Sequence, residues 1–69
     1  FRLYFFAREE SRMHVHVQGA DGEAKYWLEP TIELAHNQGL DERQLRLAKA
    51  IVEAWADDIR EAWEKHFGG

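Results

Sequence analysis

Sixty-nine residues make one domain at most, and a chain this short buries only about 60% of the surface its unfolded form exposes, so its stability margin is thin. With no cysteine, disulfide staples are excluded and a reducing compartment is the natural setting. The formal charge of −4 disfavours nonspecific nucleic-acid binding, which rests on Lys and Arg neutralising phosphates, although seven of the thirteen acids fall between Asp41 and Glu64 and leave the N-terminal part able to present a local basic surface.

In chain order, three segments have strand length and strand chemistry: Phe1 to Phe6, Met13 to Gln18 and Glu23 to Leu28. The first is apolar but too short to span a bilayer, so a soluble cytoplasmic protein without a membrane partner is expected. A charged connector, Ala7 to Arg12, separates the first two segments, and Gly19-Ala20-Asp21-Gly22 separates the second and third. Asp21-Gly22 offers the positive-φ residues of a tight hairpin, so the three read as an antiparallel meander. Pro30 ends the third strand, Ile32 and Leu34 suggest a short edge strand, and Asn37-Gln38-Gly39 reads as a turn.

From Asp41 the period changes to that of a helix. Asp41 is placed to cap it, with Gln44 reaching back as the capping-box partner and Leu40 and Leu45 forming a hydrophobic staple. Leu45, Ala48, Val52, Trp55, Ile59, Ala62 and His66 then keep a 3-4 spacing to the glycines at the end, which predicts one uninterrupted helix over 41–67. The expected fold is therefore α+β: a single domain over 1–69, with a meander of three or four strands and its turn in 1–40, packed on one long C-terminal helix. Such a helix is roughly 40 Å long, whereas six-residue strands span about 20 Å. Trp55, Ile59, Trp63 and Phe67 would then overhang the sheet, and a homodimer or a small partner protein is expected to cover them, in preference to a bend near Asp57-Asp58.

Strict alternation sorts the central hairpin onto two faces. Met13, Val15, Val17, Ala24, Tyr26 and Leu28 form the side expected to meet the helix. His14, His16, Gln18, Glu23, Lys25 and Trp27 form the other, with His16 across from Lys25 and His14 across from Trp27 if the turn has four residues. Arg2 and Tyr4 of the first strand join this second face, which is expected to be exposed.

Three chemical readings apply to that face. Histidines two apart on a strand project in parallel about 7 Å apart and hold a metal if a third ligand such as Glu23 or His36 converges, but two ligands fall short of a structural zinc set and no metal or other cofactor is expected. His14 and His16 as acid and base, with Lys25 stabilising a developing phosphate anion, form the outline of a metal-independent ribonuclease, with Tyr4 or Trp27 stacking a base. Trp27 and Tyr4 as anchors, ringed by polar groups, form the outline of a protein-binding surface. The same residues also serve simply to stabilise a hairpin, as cross-strand neighbours do. His36 reads as turn chemistry and His66 as a favourable charge at a helix C-terminus.

Taken together, His14-Val15-His16-Val17, Ala24-Lys25-Tyr26-Trp27-Leu28, Asn37-Gln38-Gly39-Leu40 and Glu61-Ala62-Trp63-Glu64-Lys65-His66-Phe67 make the chain resemble, over nearly its whole length, the small bacterial family called domain of unknown function 4160. The family pattern falls on His14, His16, Lys25, Trp27, Asn37, Gly39, Trp63 and Phe67, and departs where members have prolines and this chain has Ser11-Arg12-Met13. The resemblance implies a short protein encoded beside a second small protein, as a component of a toxin–antitoxin pair. The leading expectation is thus a partner-binding protein in such a pair, with Tyr4, Trp27, Trp55, Ile59, Trp63 and Phe67 in contact. The alternative is a ribonuclease toxin using His14, His16 and Lys25.

Overall fold

The computed structural model of the chain describes residues 1–5 and 12–68. Four strands, β1 (Arg2–Tyr4), β2 (His14–Gln18), β3 (Glu23–Trp27) and β4 (Glu33–Gln38), form one antiparallel sheet in chain order. Two helices follow, α1 (Glu42–Ala54) and α2 (Ala56–Phe67). The α+β arrangement expected from the sequence is therefore present, with the helical part in two pieces. The first strand is shorter than the expected Phe1 to Phe6, with Phe1 and Phe5 outside the ladder; Phe6 and the connector from Ala7 to Ser11 lie outside the described residues.

The β2–β3 hairpin closes through a four-residue turn, Gly19 to Gly22, in which the Gly19 amide donates to the Gly22 carbonyl at 2.8 Å. His14 consequently pairs with Trp27 and His16 with Lys25. The positive φ expected at Asp21-Gly22 is not used; among the described residues Gly39 alone has one, at 93°. Gly22 is needed for a different reason, since a Cβ there would sit 2.1 Å from the Gln38 carbonyl oxygen where the end of β4 crosses the hairpin turn.

β4 is longer than the expected edge strand and begins one residue after Ile32. Asn37 and Gln38, expected in a turn, pair with Ala24 and Glu23 instead. Asn37 performs its turn chemistry from within the strand: its amide nitrogen donates to the Leu40 carbonyl at 2.9 Å and its side-chain oxygen accepts from the Leu40 amide at 3.1 Å. The register slips between Lys25, opposite His36, and Tyr26, opposite Leu34, so Ala35 bulges out of the ladder.

The anticipated capping box at α1 is complete, with the Gln44 amide donating to the Asp41 carboxylate at 2.8 Å and the Asp41 amide to the Gln44 side chain at 3.0 Å. The Gln44 side chain also donates to Asp21 at 2.7 Å, tying the helix start to the hairpin turn. At Trp55 the expected single helix breaks: this residue has φ −109° and ψ 15° and is both the last cap of α1 and the first of α2. Asp57 and Asp58 in the first turn of α2, and Lys65 and His66 in its last, suit the dipole of a separate helix, which lowers the cost of starting one there.

The bend keeps the distal helix on the sheet. Val15, Val17, Ala24 and Tyr26 form the inner face and pack with Leu40, Ala48, Val52, Ile59 and Trp63 in one cluster, with Leu3, Phe5, Leu45 and Phe67 partly buried around it. Ile59 and Trp63 are thus core residues of this chain rather than overhanging surface, and the buried run is Ala48, Val52, Ala56, Ile59, Trp63. Trp55, Ala62 and His66, expected on that stripe, face solvent. Two polar pins cross the layers: the Tyr26 hydroxyl donates to the Leu45 carbonyl at 2.9 Å, and the Arg60 guanidinium donates to the Leu28 carbonyl at 2.7 and 3.2 Å.

Candidate functional site

Pleat parity places Tyr4, His14, His16, Lys25 and Trp27 on the face away from the core valines, as the alternation predicts. Their exposure differs from expectation. His14 is 0% and His16 6% exposed, so the two imidazoles are interior groups and not a solvent-facing pair. Alternation fixes which side a residue takes, but not what covers that side.

β2 lies between β1 and β3, so His16 has Tyr4 on one side and Lys25 on the other, while His14 lies opposite Trp27 of β3. The Tyr4 ring stacks on His16 at 5.2 Å with 20° between planes. The His14 ring stands nearly perpendicular to His16 at 5.3 Å and to Trp27 at 5.9 Å. At the end of β2, Trp63 of α2 approaches the His14 ring to 4.9 Å while also meeting Phe5 edge-on at 5.5 Å. The helix therefore reaches past the valine face and closes over the first histidine.

The His14 Nδ1 lies 2.6 Å from the Arg12 carbonyl oxygen. A carbonyl only accepts, so Nδ1 carries the hydrogen and the ring is oriented by the backbone. Cations flank the aromatic row. The Arg12 guanidinium lies 4.2 Å and the Lys25 ammonium 4.6 Å from the Trp27 ring centre, and Arg2 lies 4.9 Å from that of Tyr4. Arg12 is held there by donating to the Glu29 carbonyl at 3.1 and 3.3 Å. The Tyr4 hydroxyl donates to the Glu23 carboxylate, a bond from β1 to β3 across β2.

The structure thus brings together His14, His16, Lys25, Tyr4 and Trp27, and separates them from Trp55, which is 59% exposed at the helix joint. Ile59 and Trp63 are buried and Phe67 half-buried against the core. Glu23 and His36, weighed as third metal ligands, do not converge with the pair: among the described residues no group of three His, Cys, Asp or Glu side chains is placed to hold a metal. Arg12 was missed as part of this face. Carrying the alternation two residues back from His14 puts it on the same side, across from Glu29, and would have found it. Burial pushes the Tyr26 phenol on the opposite face above the ordinary tyrosine range.

A row of rings and cations on one face of a meander, with two helices on the other, defines a small α+β domain. Residues 1–64 match the family model described as a domain of unknown function, DUF4160, and the chain belongs to that family. Comparison with curated proteins and with solved structures gives no match. Among the described residues no helix is long and apolar enough to cross a membrane.

Proposed function

We propose that the chain is a partner-binding module whose contact face is the side of the sheet opposite the helices, with Trp27 as its anchor. One observation carries this reading: Trp27 is half-buried, set perpendicular to the His14 ring at 5.9 Å, and flanked by Arg12 at 4.2 Å and Lys25 at 4.6 Å. An indole fixed in this way loses little freedom on binding, which is the property of an interface hot spot. Its occupant is a protein offering an apolar pocket to the indole. The bacterial, cytoplasmic toxin–antitoxin setting, with the neighbouring gene product as partner, comes from the family resemblance.

The test is co-expression of the chain with that neighbouring gene product. Trp27→Ala is expected to weaken the complex at least about tenfold while leaving the circular dichroism spectrum intact. Trp63→Ala is expected to lose the complex together with the fold, because Trp63 is core. Binding unchanged by Trp27→Ala would refute the reading. The ribonuclease alternative with His14, His16 and Lys25 is weaker, because a phosphate cannot reach an imidazole that is 0% exposed. RNA cleavage that disappears in His16→Ala would reinstate it.

A further inference from the structure

His14 is not itself presented by the contact face: it is 0% exposed, and the Trp63 ring lies 4.9 Å from its own. Its Nδ1–H points back along the chain to Arg12. The β2–β3 pairing continues past the strand as far as Met13, whose carbonyl accepts from the Leu28 amide at 2.9 Å, and Arg12 lies one residue further out, in a bend. There the main chain is held by a side chain: the Arg12 carbonyl accepts from His14 Nδ1–H at 2.6 Å.

From Arg12 the contacts run on to Trp27. The Arg12 Nε and Nη2 both donate to the Glu29 carbonyl, at 3.3 and 3.1 Å, and the guanidinium lies 4.2 Å from the Trp27 ring centre. A guanidinium is a rigid planar fork, so two bonds to one oxygen orient it. They hold it over Trp27 only if the main chain it hangs from is fixed as well, and that is the main chain His14 holds. Arg12 is otherwise an exposed residue on a long stem, whose ordering costs side-chain entropy.

We infer that His14 is a positioning residue for the contact face: its Nδ1–H fixes the Arg12 main chain and, through it, the guanidinium that orients the Trp27 indole. The inference rests on the reading of Trp27 as the anchor. It gives the buried imidazole a task that needs its nitrogen as well as its ring, and needs no access to solvent.

The competing role for a buried histidine is packing alone, and two substitutions separate the roles. His14→Phe keeps an aromatic ring against Trp27 and Trp63 but has no donor, whereas His14→Asn has an amide that reaches the position of Nδ1 but no ring. The readout is the NMR order parameter of the Trp27 indole N–H in the full chain, which needs no partner protein. His14→Phe and Arg12→Ala are each expected to lower it, the double variant to lower it no further than Arg12→Ala alone, and His14→Asn to preserve it. In complex with the neighbouring gene product, His14→Phe is expected to weaken binding about fivefold, and to cost nothing more in an Arg12→Ala background.

An order parameter kept in His14→Phe and lost in His14→Asn overturns the inference, as do additive effects in the double variant. Should the His14 variants fail to fold, the native chain decides through the nitrogen resonances of its imidazoles and the Arg12→Ala order parameter. A His14 ring without hydrogen at Nδ1, or an indole as ordered in Arg12→Ala as in the native chain, overturns the inference. Binding weakened by Trp27→Ala but indifferent to His14→Phe sinks this inference alone; binding indifferent to Trp27→Ala sinks the contact-face reading on which it rests.

Discussion

Tyr26 joins the two layers through a single atom. Its phenol is 1% exposed and its hydroxyl reaches the first turn of α1. Because burial disfavours the phenolate, the folded-state pKa lies above the unfolded value of about 10. A group raised in this direction gives its full stability below the unfolded value and loses it as pH climbs through the folded one. Urea titrations at neutral pH and above pH about 10 are therefore expected to show a steep alkaline loss in the native chain. Tyr26→Phe should cost about 1 kcal/mol at neutral pH and make the alkaline decline shallower; an equally steep decline would mean another group is responsible. His14 and His16 are interior rings of a different kind, set among Tyr4, Trp27 and Trp63, where their aromatic faces matter as much as their nitrogens.

The start of α1 has strong local determinants, and its Asp41 is exposed, so substitution there isolates the cap from the core. Asp41→Ala is expected to lower unfolding free energy by about 1 kcal/mol, read by thermal or urea denaturation with the denaturant slope unchanged. This cap was readable from Asp41, Gln44 and Leu45 because all of its partners lie within a few residues. The two faces of the hairpin are readable for the same reason, whereas the choice between a four-residue turn and a two-residue one, and with it the register, is made only by the folded structure. The break at Trp55 was not: after Val52, both Trp55 and Ala56 continue a 3-4 spacing, and the larger apolar residue was the natural choice for the core. Only the reach of the sheet decides that Ala56 turns inward and Trp55 outward. β4 extends further than its sequence suggests because Asn37 and Gly39 are turn residues, and a strand whose Asn37 supplies the turn contacts from inside the ladder gives no local sign of doing so. The burial of His14 was hidden because Trp63, which covers it, lies 49 positions away in the chain.

Both faces of this sheet contribute to the interior: helices lie against the valines, and rings close over the imidazoles. That is how a chain of 69 residues without disulfides fits a body 35 × 23 × 18 Å while retaining one continuous core. The joint at Trp55 changes the direction of the helix but preserves its winding, since Val52, Ala56, Ile59, Trp63 and Phe67 still recur at threes and fours. The number of residues across it is consequently metered. One alanine inserted after Trp55 would rotate everything beyond it by about 100°, carrying Trp63 off both Phe5 and His14. Near-ultraviolet circular dichroism should then lose its tryptophan signal while the helical signal survives. A bend that tolerates a change of angle but not of count works as a ratchet tooth, and the sheet's outer histidine is the part that feels a missed step.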